Sequence, residues 1–248
     1  MSVSCDCDQN FVPICDNANP EPLEIYAKRI IAKWGPEGSE EILFLVNTNG
    51  TEEKVPLRLC IHDQDEKKLQ CFNMKKLINI DTEQLIICKH KVRLMIRFKL
   101  FMVAQFGDDT FDVIVLPQDV PAKACLLDLD DNPTDKSVLF PISFGDNEKL
   151  EIVTVGGQEF FQWTKDVPLD DPNWVGVIPC KVFDDPTLQS VIVIKSTDID
   201  TDVLGTCNCG DLANPISGTK ALISVFADII DKIGIHQDIC ITGTVLDC

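Results

Sequence analysis

Residues 91–106 read KVRLMIRFKLFMVAQF, and the alternation within them decides the fold class. Successive side chains of a strand point to opposite faces. Val92, Leu94, Ile96, Phe98 and Leu100 therefore share one face, with Arg93, Arg97 and Lys99 on the other. The charges exclude a membrane span, which needs about 18 or more consecutive apolar residues. Gly107-Asp-Asp109 then turns the chain into a second apolar run, TFDVIVL at 110–116. This is a strand–turn–strand unit.

Upstream, residues 41–46 (EILFLV) and 54–61 (KVPLRLCI) flank Asn47-Thr-Asn-Gly50, a hairpin signal because Asn-Gly tolerates positive φ. Downstream, apolar runs at 137–144, 150–155, 159–163, 175–183 and 190–194 are separated by Gly, Pro, Asp and Asn. That spacing is the rhythm of sandwiches and barrels. From Thr219 onward, Leu222, Phe226, Ile229, Ile230 and Ile233 fall at helical spacing with Gly234 as a stop, while the β-branched content allows a strand. The expected architecture is all-β and mainly antiparallel. A flexible cysteine-containing arm (1–22) precedes two β-sandwich or jelly-roll-like domains, 23–118 and 119–248, the second with one C-terminal helix.

Forty acidic residues against 22 basic ones, a formal charge of −18, argue against nucleic acid or an anionic membrane as partner, since both require a basic face. The 45% apolar fraction is enough for a large core. The first residues, Met1-Ser-Val-Ser-Cys-Asp-Cys-Asp, contain neither the basic nor the apolar region of a secretory signal, so synthesis in the cytoplasm is expected. Twelve cysteines are then unusual, because disulfides are rare inside mesophile cells.

The cysteines divide by neighbourhood. Cys5, Cys7 and Cys15 lie in the polar arm, Cys207 and Cys209 form a C-x-C in a Gly/Asn-rich stretch, and Cys248 is the last residue. These six are the expected exposed thiols. Cys60, Cys71, Cys88, Cys125, Cys180 and Cys240 lie in or beside apolar runs and read as small buried hydrophobes. Structural zinc favours C-x(2–4)-C pairs, a gap neither C-x-C provides, and a thioredoxin-type C-x-x-C is absent. No metal or cofactor is expected on these grounds. The alternative is a metal- or ligand-binding β module, with zinc on the C-x-C pairs or calcium on Asp198-Ile-Asp-Thr-Asp202. The latter segment lacks the glycine and glutamate of a full calcium loop.

Enzyme motifs are missing: there is no G-x-S-x-G, P-loop, H-E-x-x-H or dinucleotide fingerprint. Lys89, Lys91, Arg93, Arg97 and Lys99 place five basic residues on one strand of an acidic chain. On an edge strand they could meet an acidic surface of a second copy, and head-to-tail contact gives a filament or lattice.

The arm with Cys5-Asp-Cys7 ahead of a β domain resembles the amino-terminal connectors of bacterial endospore appendage subunits. The stretch Val92 to Asp119 is similar to domains of clostridial spore-coat and spore-appendage proteins. The resemblance covers about a third of the chain and implies a non-enzymatic structural subunit that self-assembles into a disulfide-cross-linked extracellular fibre or coat layer. It also implies synthesis in the mother cell and a final location on the spore surface. Cys5 and Cys7, with Cys15, would take the connector role; Cys207, Cys209 and Cys248 are further intersubunit candidates with no counterpart in the resemblance.

Overall fold

The computed structural model describes residues 21–87, 90–176, 185–210 and 215–243; for 21–28 and 237–243 it describes the backbone alone. Sixteen strands and one short helix follow in chain order among these residues. They are β1 (Glu21–Trp34), β2 (Glu40–Leu43), β3 (Leu45–Asn47), β4 (Glu53–Val55), β5 (Leu57–His62), β6 (Leu69–Ile87), β7 (Lys91–Phe106), β8 (Thr110–Leu116), β9 (Ala124–Leu127) and β10 (Pro133–Thr134). After α1 (Lys136–Leu139) come β11 (Ile142–Phe144), β12 (Glu148–Val155), β13 (Gln158–Pro168), β14 (Trp174–Gly176), β15 (Gln189–Cys209) and β16 (Ile216–Gly243). The fold is all-β, and every strand pairing among these elements is antiparallel.

Two long strands organise the sheets. In the six-stranded sheet, β7 pairs with β6 along one side, and on the other with β13 over Lys91–Phe98 and β8 over Leu100–Phe106. The alternation read from its sequence extends the full length of the strand. Val92, Leu94, Ile96, Phe98, Leu100, Met102, Ala104 and Phe106 are all fully buried. In the eight-stranded sheet, β16 is the spine. Its Gly218–Ile223 pairs with β5, Val225–Ala227 with β2 and Asp231–Gly243 with β1, while β15 runs along the opposite side.

The segment expected to form a C-terminal helix is thus the middle of β16. Ala221, Ile223, Val225, Ala227 and Ile229 are fully buried at period two. The helical count arose because Leu222 and Phe226, on the other face, are also apolar and partly covered. A strand covered on both faces loses its simple alternation.

One apolar cluster joins the inner faces of both sheets, from Trp34 and Leu59 through Phe98 and Trp163 to Ile223 and Ile233. It draws on both 23–118 and 119–248, and the two halves share sheets: β7 pairs with β13, and β16 with β1, β2 and β5. The Asn47–Gly50 hairpin forms as expected between β3 and β4, with Gly50 at φ +99° and the Asn49 N–H donating to the Asn47 side chain at 3.1 Å.

Two buried carboxylates in this core are paired. Glu148, 8% exposed, accepts hydrogen bonds from Lys54 Nζ at 2.5 Å and Trp163 Nε1 at 2.6 Å. Asp231, fully buried on β16, accepts from Gln84 Nε2 at 2.6 Å and Ser190 Oγ at 3.2 Å. The first of these contacts ties β6 to β16 across the two sheets.

Candidate functional site

Four cysteines meet at one corner of the eight-stranded sheet. On β5, Leu57, Leu59 and Ile61 enter the main core, which turns Arg58, Cys60 and His62 to the other face. On β9, Cys125 is the register partner of Cys60. Cys207 and Cys209 are two residues apart near the end of β15, where the strand repeat brings both side chains to the same side. Disulfides join Cys60 to Cys207 and Cys125 to Cys209, with Cα separations of 5.9 and 6.0 Å. The sulfurs of Cys60, Cys125 and Cys209 all lie within 4.8 Å of one another, so the two bonds are stacked and not merely neighbours.

The backbone approaches this corner closely at Gly218. That residue is the register partner of both Cys207 and His62. A Cβ there would lie 2.5 Å from the Ile61 carbonyl oxygen and 2.7 Å from the Cys60 sulfur. Leu127 completes the apolar packing round the sulfurs. A cleft of about 380 Å³, lined by Val120, Pro121, Cys125, Pro133, Asp135 and Gly210 among others, reaches the cluster from solvent.

Charges surround the corner without entering it. Lys220, opposite Cys60 in the ladder, donates to Asp131 Oδ2 at 2.5 Å, and Arg58 donates to Asp131 Oδ1 at 2.8 Å. These bonds, Lys220 first, hold the Asp131 carboxyl below its ordinary range. His62 places Nδ1 3.2 Å from the Ala122 carbonyl oxygen, while its Nε2 is buried with no hydrogen-bond partner. Burial pushes the His62 pKa down, against the opposing effects of that hydrogen bond and of Asp63.

The expected exposure of Cys209 is corrected by this arrangement, and Cys207 is half-buried. Cys209 is 2% exposed, and both residues are bonded within the chain to cysteines expected to be simple core residues. Each disulfide takes one cysteine from a Gly/Asn-rich stretch and one from an apolar run. Local composition could not reveal the burial of Cys209, because the residues that cover it lie on β5 and β9. The remaining intersubunit candidates, Cys5, Cys7, Cys15 and Cys248, fall outside the described residues. Among those described, the free cysteine is the exposed Cys71 on β6.

The basic residues of β7 also find partners at home. β7 has neighbours on both sides, so it is not the edge strand that an intersubunit stripe requires. Lys91 Nζ and Arg93 Nε donate to the two oxygens of Asp166 at 2.6 and 2.7 Å. Arg97 reaches Asp81 at 3.0 Å and Glu83 at 2.9 Å. Lys99, 3% exposed, donates to Gln118 and Gln158 and lies 4.8 Å from the Phe160 ring centroid. Lys89 lies outside the described residues. Asp198–Asp202 is an extended part of β15, in which Asp198, Asp200 and Asp202 stand in a row on the exposed face. An extended row spaces same-face positions about 7 Å apart and does not wrap oxygens round one ion.

The arrangement thus defines a disulfide-stapled antiparallel β protein. The chain belongs to the family described as Domain of unknown function (DUF8305), whose model matches residues 14–247. No curated protein and no solved structure matches it.

Proposed function

We propose that the chain is a structural subunit, not an enzyme, that self-assembles into a disulfide-cross-linked extracellular fibre or coat layer of the kind found on bacterial endospores. The observation that carries this reading is at the far end of the β1–β16 ladder. Glu21 and Gly243 are register partners there. The two cysteine-bearing segments, 1–20 with Cys5, Cys7 and Cys15 and 244–248 with Cys248, therefore join the body at one place. A link made through these segments joins subunits without disturbing the sheets.

The cysteine corner supports the same reading. Stacked disulfides belong to an oxidising environment. They also pair Cys60, Cys125, Cys207 and Cys209 within the chain, which leaves Cys5, Cys7, Cys15 and Cys248 as the cysteines this reading assigns to other copies. Covalent links make separation of subunits depend on reduction and not on interface affinity.

The test is a non-reducing denaturing gel of the purified, air-oxidised chain. A ladder, or material too large to enter, should collapse to a single 27.6 kDa band with reductant. Replacing Cys5 and Cys7 together by Ser should remove most of the ladder while leaving the fold intact. A chain that stays monomeric at high concentration under oxidising conditions refutes the proposal. So does a double variant as resistant to hot detergent as the original.

A further inference from the structure

Zinc binds four thiolates tetrahedrally at about 2.3 Å, which sets about 3.8 Å between neighbouring sulfurs. The corner already approaches this arrangement. The sulfurs of Cys60, Cys125 and Cys209 are mutually within 4.8 Å although Cys60 and Cys125 are not bonded to each other, and Cys207 is bonded to Cys60. Breaking the two disulfides leaves three sulfurs already close to one another, with the fourth, that of Cys207, freed beside Cys60 and able to turn toward them. We infer that the reduced chain binds one zinc-class divalent cation through Cys60, Cys125, Cys207 and Cys209, and that oxidation to the two disulfides releases it.

The C-x-C spacing, poor for a zinc finger, suits a strand. Finger pairs lie on tight turns, where two intervening residues bring the sulfurs together. On an extended chain, positions i and i+2 share a face about 7 Å apart, so Cys207 and Cys209 meet one ion only because Cys60 and Cys125 lie between them, each already within bonding reach of one of the two. Cys60 and Cys125, opposite each other in the β5–β9 ladder, supply the other two sulfurs. Buried thiolates need a compensating charge, and a dication provides it where burial already excludes water. The cleft at Cys125 offers a route for the ion. The sulfur set also fits a soft or borderline cation better than calcium or magnesium, which take oxygen ligands.

The exchange balances. Conversion of the tetrathiolate into two disulfides forms two S–S bonds and breaks four metal–sulfur bonds. Four electrons pass to two equivalents of a peroxide oxidant; each peroxide takes two electrons and two protons from solvent and becomes two waters. The divalent ion leaves. In this scheme the metal holds β5, β9 and β15 together while the chain is reduced, and the disulfides hold the same strands afterwards. The inference does not depend on the assembly reading.

The experiment uses the full chain, reduced with a phosphine under nitrogen and titrated with cobalt(II). One equivalent should give thiolate-to-cobalt charge transfer and the visible bands of tetrahedral cobalt, both abolished by zinc. In the zinc-loaded chain, alkylation read by mass spectrometry should be at least about tenfold slower at Cys60, Cys125, Cys207 and Cys209 than in the reduced metal-free chain. Cys71 should show no such protection. Peroxide should release one zinc per chain and leave the same four residues as disulfides. Cys209→Ser should lose the four-sulfur spectrum, and Cys209→His should retain tetrahedral cobalt with a weaker charge-transfer band. The absence of a tetrahedral cobalt spectrum overturns the inference. So does protection of a different set of cysteines, which the intact chain reports even if the variants do not fold.

Discussion

Removing one disulfide should cost the oxidised chain about 4 kcal/mol, and removing both should bring it close to unfolding. Taken alone, the Cys60–Cys207 separation of 147 residues corresponds to about 5 kcal/mol of loop-closure entropy, and the 84 residues between Cys125 and Cys209 to about 4.6. The two bonds interleave, however, so neither acts on a free chain. With Cys125–Cys209 intact, Cys60 and Cys207 are already tethered through a path of about 68 residues, which lowers the cost of losing their bond to about 4.4 kcal/mol. The second loss then acts on an untethered chain, and the total reaches about 9 kcal/mol. That is comparable with the whole stability of a typical domain, about 5–15 kcal/mol. The assay is urea unfolding without reductant, followed by the fluorescence of the buried Trp34 and Trp163. For a slope of about 3 kcal/mol per molar, Cys60→Ala with Cys207→Ala should lower the midpoint by about 1.5 M. Peptide mapping should still find Cys125–Cys209 in that variant. A single-pair variant within about 1 kcal/mol of the original, or a fully folded variant lacking both pairs, would refute the reasoning.

Gly218→Ala should destabilise the chain by about 1–3 kcal/mol, because its Cβ meets backbone at Ile61 and sulfur at Cys60. Thermal melts of the variant in a Cys60→Ala, Cys207→Ala background should show a smaller loss, since half the obstruction is gone, and equal losses would mean the contact is not the cause. Asp166→Asn removes the charge that Lys91 and Arg93 share and should cost about 1–3 kcal/mol in urea at neutral pH. The Arg93 hydrogen bond leads the effects that hold the Asp166 pKa below 3.8, so this stability is present above that value and lost as pH falls through the still lower folded pKa. The gap between the original chain and the variant should therefore close only in strong acid. For His62, burial places the folded pKa below 6.5, so the unfolded chain takes up the proton first. Stability should be flat in this respect above about pH 6.5 and fall below it, and His62→Gln should flatten that part of a urea midpoint-against-pH curve. An unchanged slope would show that another group titrates there.

How much was legible depended on whether a residue's environment is built by its neighbours in sequence. β7 was readable because its alternation is a property of the strand itself, and the sheet only supplies the cover. The Asn47–Gly50 turn was readable for the same reason: a hairpin is local. β16 was not, since Leu222 and Phe226 receive partial cover on the face opposite Ala221, Ile223 and Val225, and two superimposed patterns imitate a helical count. The cysteine corner was the least legible feature. Cys209 sits among Asn, Gly and Asp in sequence, yet β5 and β9 bury it from 149 and 84 residues away. Finger spacing is a criterion for turns; on a strand, a C-x-C puts both cysteines on one face. The strand assignment was the missing step, because residues 206–209 carry the polar composition of a loop.

The charge arithmetic changes meaning once the pairs are known. Lys54, Arg58, Lys91, Arg93, Arg97, Lys123, Lys136, Lys165 and Lys220 each lie within 4 Å of a carboxylate of the same chain. Much of the basic complement is thus engaged internally, and the formal −18 is left to a surface dominated by carboxylates. Two copies approaching through such surfaces repel over about 8–10 Å at ordinary ionic strength. An interface built on opposite charge has fewer cations to draw on once these nine are paired within the chain. A covalent bond between cysteines on the terminal segments has no need of them. Once such a bond forms, the repulsion cannot reverse it. The strong acidity is therefore no obstacle to the proposed assembly where its links are covalent, and the proposal places those links on the cysteines outside Glu21 and Gly243.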